Sequence, residues 1–159
     1  MKTLIVYATK YGTAESCAKK LREKLNTEVE LKNLKQEKNI DLSDYDKVII
    51  GSSVYMGQIR KEAKKFCQEN LEELKTKENA FYISCMREGE DAENQIEVNY
   101  PKELLEKAVF SSVFGGAFNF EKMNFLEKMI IKKIAGTDQS EENILEDNIA
   151  EFAKKLNAS

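Results

Sequence analysis

Histidine is absent from this chain of 159 residues, and so is tryptophan. Without histidine there is no His-based catalytic triad, and the commonest metal ligand is missing. Cysteine is scarce: Cys17, Cys67 and Cys85 are odd in number, far apart and never in a Cys-x-x-Cys pair. That pattern argues against a disulfide framework or a thiolate metal centre and suits a reducing cytoplasm. Apolar runs are short, none approaching the roughly 20 residues that span a bilayer. Net charge is only -3, which gives no global attraction to nucleic acid. Met1-Lys2-Thr3 leads straight into an extended apolar run, so no cleavable leader is expected.

What remains is a globular balance, 42% hydrophobic and 33% charged, at a length that suits one domain over residues 1–159. Continuous apolar runs predict buried strands at 2–8, 47–51, 80–85 and 109–118, and Val29 and Leu31 alternate in an outer strand at 28–34. Helical spacing of Ala14, Cys17, Ala18, Leu21 and Leu25 predicts a helix over 13–26. A second stripe runs from Ile59 to Leu74, and Pro101 opens a helix through Lys107. Further helices are predicted over 123–135 and 140–156. Strands alternating with helices imply parallel pairing through right-handed crossovers, hence a three-layer, doubly wound α/β fold with a five-stranded parallel sheet.

In such a sheet ligands bind beyond the carboxyl ends of the strands, where the strand order reverses. The loop after the first strand is Thr9-Lys10-Tyr11-Gly12-Thr13-Ala14, hydroxyls around one glycine leading into a helix. Helix N–H groups and a positive dipole end suit a monoester phosphate. Plain helix capping by Thr9 or Thr13 explains the same residues equally well. A Walker A loop and a three-glycine dinucleotide turn are both missing. The first and third strands end in Ala8-Thr9 and Gly51-Ser52, without the acids of a phosphoacceptor domain.

On these residues the chain resembles the flavodoxin family, whose first βα turn has the pattern Thr/Ser-x-Thr/Tyr-Gly-x-Thr. The run Asp46-Lys47-Val48-Ile49-Ile50-Gly51-Ser52-Ser53-Val54-Tyr55-Met56-Gly57 is similar too. The resemblance implies FMN as cofactor, strand order 2-1-3-4-5, and no catalytic side chain, because the flavin carries the reaction. Thr9, Lys10, Tyr11, Gly12, Thr13 and Ala14 would hold the phosphate, although Ala14 stands where the family usually has a hydroxyl. Ser53, Val54, Tyr55, Met56 and Gly57, with Ser84, Cys85, Met86 and Arg87, would frame the ring. Tyr55 or Met56 would cover one face. Gly57 would turn its peptide toward the flavin N5 and stabilise the one-electron-reduced form. The loop after the fourth strand lacks the usual Tyr or Trp, leaving Met86 or Arg87 to serve. The acids Glu88, Glu90, Asp91, Glu93 and Glu97 read as a solvated loop.

The foremost functional expectation is an electron carrier serving redox partner proteins of the reductase or ferredoxin type. The last third resembles a sub-branch, the menaquinone-linked protoporphyrinogen dehydrogenases, through Gly115-Gly116-Ala117-Phe118, Lys128-Met129-Ile130-Ile131-Lys132-Lys133-Ile134 and Gly136-Thr137-Asp138. That implies an alternative, an enzyme oxidising protoporphyrinogen with a quinone as acceptor. A third possibility is a non-flavin α/β module binding a phosphate ligand. The segment 120–134 is basic and amphipathic, and offers a weak link to a membrane surface or quinone. The plainer expectation is a packed helix with solvated lysines.

Overall fold

The computed structural model describes residues 1–87, 89–118, 124–135 and 141–159. Its strands are β1 (Lys2–Ala8), β2 (Glu28–Asn33), β3 (Lys47–Tyr55), β4 (Gln58–Ile59), β5 (Glu78–Ser84), β6 (Phe110–Val113), β7 (Gly115–Phe118) and β8 (Glu141–Ile144). Its helices are α1 (Thr13–Lys24), α2 (Lys61–Glu69), α3 (Leu71–Leu74), α4 (Gly89–Asn99), α5 (Lys102–Leu105), α6 (Phe125–Ala135) and α7 (Glu146–Ala158). The main sheet runs β2-β1-β3-β5-β6, all parallel, which is the expected 2-1-3-4-5 order of its five parallel strands.

Because side chains alternate across a strand, the central strands feed two cores. Leu4, Val6, Val48, Ile50, Phe81 and Ile83 meet Ala63, Phe66 and Cys67 of α2, Leu74 of α3, Ala92 and Ile96 of α4, and Leu104 of α5. On the opposite face Ile5, Ile49, Tyr82 and Phe114 pack with Ala14, Cys17, Ala18 and Leu21 of α1, and with Ile149, Phe152 and Leu156 of α7. Buried Lys47 on β3 donates from Nζ to the Leu156 carbonyl at 2.6 Å and so ties α7 to the sheet.

Several expectations need correction. The fifth strand is not continuous over 109–118. It breaks at Phe114, and Gly115, at φ 81, turns the chain away from the main sheet. The second half, β7, pairs antiparallel with β8, so residues 141–144 are a strand and the last helix begins at Glu146. The acidic loop is a helix, α4, because Ala92, Gln95 and Ile96 fall on one buried face while Glu90 and Asp91 suit its N-terminal dipole. The second predicted helix splits at Asn70 into α2 and α3. The third strand continues to Tyr55 and folds back as β4. The predicted helix start at Met123, Glu88 of the acidic run, residues 120–123 of the amphipathic segment, Gly136-Thr137-Asp138 and Ser140 lie outside the described residues.

Candidate functional site

The carboxyl ends of β1, β3 and β5 bring the three predicted loops to one edge of the sheet. A cavity of about 70 Å³ there is lined by Lys10, Tyr11, Thr13, Ser53, Val54, Tyr55, Ser84, Cys85, Met86, Gly116 and Ala117. The register explains the convergence: Ala8 pairs with Ser52, and Ser53 with Ser84. Nine of the fifteen predicted residues line this cavity. Of the other six, Thr9 shapes the turn, Gly12 caps α1, Ala14 is buried on the inner face of the first turn of α1, Met56 and Gly57 form a hairpin tip, and Arg87 turns toward α4.

The first loop is built to leave donors free. Gly12, at φ 96 where a side chain would be strained, is the N-cap of α1 and makes no side-chain cap. Thr9 Oγ1 accepts from the Gly12 N–H at 2.9 Å and therefore folds the loop instead of capping the helix. Thr13 Oγ1 donates to the Ala117 carbonyl at 3.4 Å. Among the described residues nothing accepts the N–H groups of Thr13, Ala14 and Glu15, whereas the Ser16 N–H is used by the Gly12 carbonyl at 3.0 Å. A Cβ at Gly12 would meet nothing within 4 Å, so the space beside the loop is open. Behind it, Tyr82 donates from its hydroxyl to the Ala14 carbonyl at 2.7 Å and fixes the first turn to the sheet.

Residues 55–58 are not a simple turn before a helix. They form a hairpin in which Met56 at φ 54 and Gly57 at φ 76 are the two central residues, the geometry of a primed turn. The Gly57 carbonyl accepts from Asn99 Nδ2 at 3.1 Å and from the Gln95 amide at 3.0 Å, whose oxygen accepts from Arg87 Nη1 at 3.2 Å. Asn99 also accepts from the Ile59 N–H at 3.1 Å. Helix α4 therefore holds the hairpin from outside the cradle.

On the remaining side the β7 backbone lies hard against the β5 loop. A Cβ on Gly116 would stand 2.6 Å from the carbonyl carbon of Cys85, so only glycine fits there. Burial pushes the Cys85 thiol above its ordinary range, which leaves it a packing group. Lys10 Nζ lies 4.2 Å from the centre of the Tyr55 ring and 3.2 Å from Glu127 of α6. Two buried oxygens at this mouth, Tyr11 OH and Glu127 Oε2, have no hydrogen-bond partner among the described residues. The Lys10–Glu127 contact is thus an ion pair without hydrogen-bond alignment.

Gly116, Ala117, Gln95, Asn99 and Glu127 are absent from the sequence-based site. The glycine pair at 115–116 was a signal for a close backbone approach. Nothing local marks Gln95, Asn99 and Glu127, whose roles depend on where α4 and α6 pack.

The flavodoxin domain model matches residues 4–144. This chain belongs to the flavodoxin family. A protoporphyrinogen IX dehydrogenase [quinone] from Escherichia coli (strain K12) is 23% identical, covering 98% of this chain and 94% of the relative. A protein of the same name from Leishmania major is 24% identical, over 92% of this chain and 69% of its own length. Among solved structures, flavodoxin 1 from Bacillus cereus superposes with a TM-score of 0.59 at 13% identity, covering 98% of this chain and 96% of the other.

FMN is the cofactor of this flavodoxin-family chain, and the donor set fits it. Free helix N–H groups and hydroxyls suit a phosphate, and the orphaned Tyr11 hydroxyl offers a further polar contact. The cavity lined by Tyr55 and Met86, about 70 Å³, is narrow for a flavin, since small-molecule sites usually enclose at least ~300 Å³.

Proposed function

We propose that this flavoprotein oxidoreductase is a dehydrogenase of the protoporphyrinogen type that passes electrons to a quinone. The observation that carries this reading is the reach of Glu127 on α6 to Lys10 in the phosphate loop, 3.2 Å away. The helix that interrupts the β7–β8 pair thus leans over the cradle. An electron carrier docking on proteins is best served by an open ring edge. A covered cradle favours small redox molecules admitted beneath the helix. The curated relatives, named for protoporphyrinogen and quinone and aligned along nearly the whole chain, support the same reading.

When bound, FMN supplies the centre that accepts and releases electrons. The chain binds and orients it: the N–H groups of Thr13, Ala14 and Glu15, with the Thr9 hydroxyl, and the Thr13 hydroxyl once it leaves the Ala117 carbonyl, hold the phosphate. Lys10 adds positive charge beside it. Tyr55 and Met86 bracket the ring, and Ser84, Cys85, Gly116 and Ala117 form its floor. Gln95 and Asn99 fix the Gly57 carbonyl against α4, which opposes rotation of that peptide toward the ring. Helix α6 excludes water from the mouth.

The carrier reading of the sequence is favoured by one feature, the acidic outer face of α4 with Glu90, Asp91, Glu93 and Glu97, which suits a basic redox partner. Anaerobic mixing of FMN-loaded protein with protoporphyrinogen, with and without a soluble naphthoquinone, separates the two. Sustained porphyrin fluorescence that requires the quinone is the expected result. No porphyrin formation, together with rapid reduction by a ferredoxin-type reductase, would assign the chain as a carrier.

A further inference from the structure

A second crevice opens at the same edge of the sheet, between the first loop and the start of α2. It encloses about 190 Å³ and is lined by Ala8, Thr9, Lys10, Lys35, Arg60 and Glu62. Backbone bonds bring these distant positions together. The Leu34 N–H donates to the Tyr7 carbonyl at 2.9 Å, which sets Lys35 beside the end of β1. Ser52, paired with Ala8, accepts from the Arg60 N–H through Oγ at 3.0 Å. Three cations and one carboxylate therefore line the crevice. Lys10 is paired with Glu127, but Lys35, Arg60 and Glu62 make no ion pair among the described residues. Glu62 stands in the first turn of α2, where the helix dipole suits it. Lys35 is exposed and Arg60 half-buried, so two cations without counter-ions are open to a ligand.

We propose that Lys35 and Arg60 hold the carboxylate arms of the redox substrate, so that this crevice selects which small molecules the site oxidises. The inference rests on the dehydrogenase reading. Protoporphyrinogen is an apolar macrocycle with two propionate side chains, whereas a quinone carries no charge. Only the first calls for cations beside the cradle. Lys10 lines both the cradle and the crevice, so the two share a wall. The crevice is smaller than the ~300 Å³ usual for a whole small-molecule site, so it takes a substituent and not the body of the ligand. Arg60 offers a planar fork that matches a carboxylate, and Lys35 a compact point charge. With a net charge of -3 the whole chain repels a dianion, so the attraction is local to these two side chains.

The test uses the full FMN-loaded chain and a double variant, Lys35→Gln with Arg60→Gln. Each is titrated with protoporphyrin IX and with its dimethyl ester, which keeps the macrocycle and loses both charges. The wild type is expected to bind the free acid about tenfold more tightly than the ester. The variant should bind both as weakly as the wild type binds the ester. Its KM for protoporphyrinogen should rise about tenfold, with FMN affinity and the KM for a naphthoquinone unchanged. Equal binding of acid and ester by the wild type would overturn the inference and leave the dehydrogenase reading intact, as would a variant that still discriminates between them. A tenfold loss of FMN affinity in the variant would assign the crevice to the cofactor phosphate and overturn it too. A wild type that binds neither porphyrin and oxidises no protoporphyrinogen would overturn the dehydrogenase reading itself, and this inference with it.

Discussion

Lys10 has two suitors, the Glu127 carboxylate 3.2 Å away and the anionic ligand its loop is shaped to hold. The two compete, and the side chains of the pair are mostly shielded from solvent, so the competition is felt. Glu127→Gln removes a negative charge from the mouth of a phosphate cradle and releases Lys10. FMN affinity should rise about fivefold, on the order of 1 kcal/mol, read from quenching of flavin fluorescence. Unchanged affinity would mean that Lys10 takes no part in holding the cofactor. At this scale the first loop was legible in the sequence, because a glycine in the left-handed region and a threonine folding its own turn are local chemistry. Ala14 was legible in part: it was seen to stand where the family usually has a hydroxyl, but not that its methyl is fully buried on the inner face of α1. Glu127 was not legible, since its partner lies more than a hundred positions away.

The element that most constrains the cradle is α4, which the sequence presented as an acidic loop. Four acids in a short stretch outweighed the spacing of Ala92, Gln95 and Ile96, the residues that bury its inner face. Its last residue, Asn99, bonds the Gly57 carbonyl, the Gln95 carbonyl at 2.8 Å and the Ile59 N–H, so one side chain joins helix and hairpin. Asn99→Leu leaves those groups unpaired and should destabilise the fold by ~1–3 kcal/mol in denaturant unfolding. It should also free the Gly57 peptide, so that more one-electron-reduced flavin accumulates during reductive titration. A purely structural role for Asn99 would lower stability without changing that yield. The hairpin β7–β8 was missed for a different reason: Gly115 and Gly116 weaken any strand signal, and β8 is four polar-rich residues beside a strong helix.

At the scale of the whole molecule, the parallel doubly wound sheet followed from the alternation of apolar runs and helical stripes, because crossover handedness allows few arrangements, and the family resemblance implied the order of its five parallel strands. That order alone brings Thr13, Tyr55 and Cys85 to one edge of the sheet, though they are distant in sequence. What the pattern did not carry is the second layer of the site: α4 behind the hairpin and α6 across the mouth. Their inward contacts depend on tertiary packing and not on any local period. On the dehydrogenase reading proposed above, a covered cradle with a fixed hairpin serves to move electrons in pairs.

Stepwise anaerobic reduction of the FMN-loaded protein, followed by visible absorption, tests that claim most directly. The oxidised bands are expected to bleach in one phase with little long-wavelength absorbance, because Asn99 and Gln95 hold the Gly57 carbonyl against α4. A strong long-wavelength band midway through the titration would contradict it and mark the protein as a one-electron carrier.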